Sequence, residues 1–117
     1  NTIVTNRDGV QAKDSDLKRS PWADFSGQFE GRNTLSGITI INHPQNIDPN
    51  PGWIYRVSDT YGFIGVSWPG AEKFDFVPDR SYRNAYRLWL HRGDVQQSNA
   101  QRLIDSYLSP SPIGIAP

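Results

Sequence analysis

The chain of 117 residues contains no cysteine. Disulfides, thiolate zinc centres and cysteine nucleophiles are therefore excluded, and the lack of cysteine does not assign a redox compartment. It also contains no methionine, not even at its first position, Asn1. The expectation is a processed chain or one piece of a longer product. Charge of one sign is not in excess either: twelve basic residues balance twelve acidic ones. A neutral chain lacks the basic footprint of a nucleic-acid binder, and its scattered charges form no polybasic membrane patch. No apolar run approaches the roughly 20 residues that span a bilayer. Neither a phosphate-cradling glycine loop nor a nucleophile elbow occurs, and no His pair has metal-binding spacing. No motif indicates a cofactor or a metal.

Aromatic residues are plentiful, with four Trp, five Tyr and five Phe. Each can bury a large area, so together they can build much of a core. The first twenty residues are polar after an Ile3–Val4 patch and predict a short strand followed by a loop. Strand-like segments follow: "PWADFSGQF", the β-branched "LSGITIIN", "WIYRV", "YGFIGVSW", the alternating "KFDFV" and "NAYRLWLHRG". Turn residues separate them. In the last segment Tyr86, Leu88 and Leu90 fall on one face, and Arg87, Trp89 and His91 on the other.

One helix is predicted late in the chain. Asp94 and Gln97 form a capping-box pattern ahead of Ala100, Leu103, Ile104, Tyr107 and Leu108 at helical spacing. Residues 109–117 hold three prolines and form an extended arm or a disordered end. The predicted fold is all-β, mainly an antiparallel β-sandwich with one C-terminal helix, as a single domain over residues 1–117. The strands alternate rather than running continuously apolar, which argues against a parallel α/β sheet.

The stretch "INHPQNIDPNPGWIYRV", residues 41–57, crowds His, Pro and Asn between two strands. Proline after His43 pushes that residue to extended geometry at a strand end, where sites tend to sit. His43 is read either as a general base or metal ligand, or as a residue hydrogen-bonding the loop carbonyls. His91 also ends a strand, with Arg87 and Trp89 on its face. That face is either a grip for a sugar or carboxylate, or an ordinary outer face beside a helix cap. If His43 and His91 converge with a carboxylate such as Asp24, Asp48 or Asp59, a site forms. Arg56, Asp59 and Tyr61 are read as a strand-corner network or as ligand contacts. Trp53 and Asn46 complete the loop's candidates.

In order and spacing these segments resemble the C-terminal half of a bacterial domain family called PmoA-like. The matching residues are Trp22, Asp24, Ser26 and Gly27, then His43, Pro44 and Asn46, then Trp53, Tyr61 and Gly62, and finally Arg87, His91, Gly93 and Asp94. The likeness covers residues 22–108. Asn42 stands where the family has Asp, Pro49–Asn50 replaces a second His-Pro, and Ser67–Trp68–Pro69–Gly70 replaces "NPFG". Methane oxidation is not carried over, because the membrane subunit of that name is built of transmembrane helices. The resemblance implies a β-rich, carbohydrate-associated protein that is secreted, periplasmic or on the cell surface. The activity it implies is uncharacterised; on the residues' own chemistry the catalytic candidates are His43 and His91, and the ligand-binding candidates are Asn46, Trp53, Arg56, Asp59, Tyr61 and Arg87. Family members are more than twice as long, so the chain would be a fragment, such as the C-terminal part of a sugar-processing enzyme, or one of two chains of the same precursor or complex that together make a larger sandwich. The alternative is a non-catalytic binding or assembly subunit of a multi-chain particle.

Overall fold

A computed structural model describes residues 2–109. Its strands are β1 (Thr2–Asn6), β2 (Gly9–Gln11), β3 (Ser15–Arg19), β4 (Trp22–Gln28), β5 (Leu35–Asn42), β6 (Gly52–Val57), β7 (Gly62–Ser67) and β8 (Tyr86–Arg92), followed by helix α1 (Ala100–Leu108). A five-stranded sheet runs in the order β2-β1-β4-β5-β8, and a three-stranded sheet in the order β3-β6-β7. All pairings are antiparallel. The two sheets pack as a sandwich, with β6 across from β1 and β7 across from β4.

Strand alternation sorts the side chains of the larger sheet onto two faces. The inner face carries Val4, Ala23, Phe25 and Ile40, which pack against Trp53, Tyr55, Ile64 and Val66 of the smaller sheet. Asn6 is also inward and buried. Its Nδ2 donates to the Tyr55 hydroxyl at 3.1 Å, while its Oδ1 accepts from the Asp8 amide and from Gln11 Nε2. This polar bridge satisfies a buried amide and links the two sheets. Trp53 is fully buried, and its indole nitrogen donates to the Ser20 carbonyl at 2.7 Å.

Helix α1 covers part of the outer face. Ala100 and Ile104 bury against Trp22 and Ile41, with Val95, Tyr107 and Leu108 around them. The sheets are unequal, and β8 projects beyond the last strand of the smaller one. On its inner face Leu88 is 58% exposed and Leu90 75%.

Three sequence expectations change. The alternation of "KFDFV" predicts a strand, yet residues 73–77 adopt no regular structure. Alternation produces a strand only when a sheet takes one face. Here Phe74, Phe76, Tyr82 and Trp68 instead pack edge-to-face on one another, with centroids 4.9–6.2 Å apart. Where one strand and a loop were expected before residue 20, the chain makes three short strands. The capping box does form: Asp94 Oδ1 accepts from the amides of Gln96 and Gln97, and Gln97 Oε1 accepts from the Asp94 amide. It caps a turn rather than the helix. Asn99, at φ 58°, breaks the path, and α1 begins at Ala100. The proline-rich tail beyond Ser109 lies outside the described residues.

Candidate functional site

The pairing of β4, β5 and β8 places Asp24 beside Thr39, and Ser26 beside Gly37, which in turn faces His91. All these residues share the outer face. The Ser26 hydroxyl donates to Asp24 Oδ1 at 2.5 Å, and the Thr39 hydroxyl donates to Oδ2 at 2.6 Å. His91 Nε2 lies 2.5 Å from the same Oδ2, and Nδ1 meets the Gly93 carbonyl at 3.0 Å. That carbonyl can only accept, so Nδ1 carries a proton. Both His91 and Asp24 side chains are 1% exposed. A polar pair buried this deeply persists because its ring nitrogens and carboxyl oxygens all have hydrogen-bond partners. Gly37 is what allows it: a Cβ there would stand 2.8 Å from Ser26 Oγ and 2.9 Å from His91 Cε1 and would collide with the Phe25 carbonyl. The cluster locks the Gly93 turn to the sheet. With both side chains 1% exposed, the cluster is enclosed by the protein and ties three strands together.

His43 stands at the other end of β5. Six residues separate it from Gly37, the partner of His91, which at strand rise is about 20 Å. The two histidines therefore do not converge. His43 lines a cleft of about 330 Å³ with Gln45, Asn46, Arg83 and Ala85. Its Nδ1 accepts from the Gln45 amide at 3.0 Å, so the ring proton resides on Nε2. The Tyr107 ring stands edge-on to the imidazole, with centroids 5.4 Å apart. The Arg87 guanidinium lies over the same Tyr107 ring at 4.6 Å. Burial raises the Tyr107 pKa above its usual value, against the opposing pull of Arg87.

The loop is held rigid from the opposite side. Asn46 Nδ2 donates to the Ala85 carbonyl at 2.8 Å, and its Oδ1 accepts from the Ala85 amide at 2.7 Å. Asn84 Oδ1 accepts from the Ile47 amide. An amide side chain has the donor and acceptor needed to mimic a strand neighbour, and Asn46 does so with both atoms. It positions the cleft, with both amide atoms engaged by the Ala85 backbone.

The remaining candidates are dispersed. Trp53 belongs to the core. Arg56 pairs with Asp16 at 3.0 Å and donates to the Ser15 and Tyr55 carbonyls. It makes no network with Asp59 or Tyr61. Asp59 is exposed in the β6–β7 turn, and Tyr61 stacks on Phe63 nearby. Among the described residues no group of three or more His, Cys, Asp or Glu could hold a metal ion. No helix in the described residues is long and apolar enough to cross a membrane.

The loop motif did not reveal Arg83 or the role of Tyr107, because both come from distant segments. Asp24 did leave a signal, since a carboxylate between the bulky apolar residues Trp22 and Phe25 of a strand must find partners. Ser26 two positions on, Thr39 and His91 are those partners.

The fold and the buried lock define an antiparallel β-sandwich with a helix laid on the outer face of its larger sheet. The chain belongs to the family DUF6807, a family of unknown function, whose model matches residues 1–105. No curated protein and no solved structure matches the chain.

Proposed function

We propose that this chain is a binding and assembly module, one flank of a larger β-sandwich completed by a second polypeptide chain. The observation that carries this reading is the overhang of β8. Its inner face presents Leu88 and Leu90 to solvent beside half-exposed Tyr86, and β8 and β7 each end a sheet. Unpaired strand edges offer rows of backbone donors and acceptors. Apolar side chains beside such edges fit added strands whose own side chains alternate apolar and polar. A partner supplying strands next to β7 would satisfy the edge and cover Leu88 and Leu90 together.

Native mass spectrometry of the protein, purified from its source without denaturant, tests this. The expected result is a species containing one copy of this chain and a different polypeptide. Leu88→Lys with Leu90→Lys should abolish that species while leaving the isolated chain folded. A lone chain, or multiples of this chain only, would overturn the reading.

A second reading, a carbohydrate-associated role, is favoured by the cleft at His43, which presents hydrogen-bond donors and a cation at a strand end.

A further inference from the structure

We infer that the cleft between the His43 loop and the start of β8 binds the carboxylate of a small organic acid, with Arg83 and His43 as its donors. Its volume of about 330 Å³ lies at the lower end of the range for small-molecule sites, roughly 300–1,000 Å³. Its lining includes two donor groups without a partner among the described residues, on His43 and Arg83. His43 Nδ1 is occupied by the Gln45 amide, which leaves Nε2–H as the ring's free group. Arg83 lines the same cleft, and no carboxylate stands within ion-pair distance of it among the described residues. Arg87, stacked on Tyr107 beside His43, is likewise without a carboxylate partner among the described residues. Asp48, the acidic residue of the loop, is taken by Arg19 at 2.8 Å. The cleft thus offers one cation, Arg83, and the His43 ring N–H, with Arg87 held on Tyr107 beside it and no acidic residue on its lining.

Such a set is matched by an acceptor-only anion. A guanidinium presents a planar fork that fits the two oxygens of a carboxylate, and the fork is stronger than neutral hydrogen bonds. The loop is fixed before any ligand arrives, because Asn46 and Asn84 tie it to the segment carrying Arg83. A preorganised site spends less affinity on ordering. The broader groove at the opposite end of the sheet also holds two arginines, Arg32 and Arg92. It is open and larger, about 1060 Å³, and the side chain of its Gln97 is already bound to the Asp94 turn.

The inference is independent of the assembly reading, since the cleft lies entirely within this chain. Glucuronate, acetate, glucose and phosphate are titrated into the full chain, followed by calorimetry and by NMR of the His43 and Tyr107 ring signals. Glucuronate should bind and move both signals, with glucose weaker by about tenfold or more. Glucuronate above acetate assigns a sugar acid, and equal binding assigns the carboxylate alone; both support the site. Arg83→Ala, at an exposed position, should weaken glucuronate by about tenfold with an unchanged melting curve. Arg83→Lys should recover only part of that. Phosphate binding as tightly as glucuronate, binding that survives Arg83→Ala, or ring signals that stay fixed would overturn the assignment.

Discussion

His91 reaches across β5 to Asp24, imidazole nitrogen to carboxylate oxygen at 2.5 Å, and neither side chain meets solvent. The pair joins the edge strand β8 to the central strand β4 and holds the turn that leads to the helix. Two histidines in a chain without cysteine invite a catalytic reading. The burial of one and its saturation with hydrogen bonds make it part of the frame.

His91→Ala or Asp24→Asn should therefore cost about 3–5 kcal/mol, because each leaves a buried partner uncompensated. Urea denaturation measures the loss. The double variant should cost less than the sum of the singles, since the two share one interaction. Gly37→Ala should damage the same lock by steric conflict alone. Additive losses in the cycle would refute the coupling.

Alkaline stability should depend on Tyr55. Burial is the main cause that pushes its pKa from 10.0 up to about 12; nearby Asp8 adds to the rise, and the Asn6 hydrogen bond opposes it. The unfolded chain loses this proton near pH 10, and the folded chain holds it until about pH 12. Stability is therefore undiminished below pH 10 and falls between pH 10 and 12, by about 2–3 kcal/mol in all. Tyr55→Phe should flatten that limb. At neutral pH it should cost about 1–3 kcal/mol for the Asn6 amide it leaves without a partner. Spectrophotometric titration of the five tyrosines should show one ionising well after the exposed ones.

Asn46→Ala removes both bonds to the Ala85 backbone and should destabilise the fold by about 1–3 kcal/mol. Gln45→Ala, next to it and exposed, should change stability by less than about 0.5 kcal/mol. Limited proteolysis should find new cleavage around residues 44–50 in the first variant only. Equal effects of the two would show that the loop is not held by this side chain.

Asp94→Ala should cost about 0.5–2 kcal/mol, since two turn amides lose their acceptor. Gln97→Ala, which frees only the Asp94 amide, should cost less. The loss should appear in thermal unfolding, with little change in helix signal, because the capped turn precedes α1.

Much of the sandwich is legible in the residues. "LSGITIIN" and "WIYRV" are strands for local reasons, being β-branched or aromatic and bounded by turn residues. The helix follows from the spacing of Ala100, Ile104 and Tyr107. "KFDFV" has an equally good local pattern and fails, because no sheet edge receives it and its rings satisfy one another. The same limit applies to the site. His43 stands out beside its proline, whereas Arg83 enters only because Asn46 and Asn84 fasten two segments nearly 40 residues apart.

An antiparallel β-rich chain with one late helix, no thiol chemistry and a turn at His43 is already written in the residues. Those properties follow from residue type and short-range periodicity. Which histidine is buried and which faces a cleft is settled by how distant segments pack. Both stand at strand ends and both read as polar, and their fates depend on strand register, which places Asp24, Ser26 and Thr39 under one ring and leaves the other at the sheet's far end. Register and sheet order arise from contacts between distant segments, and they also leave Leu88 and Leu90 uncovered on a strand that reads like any other in the core.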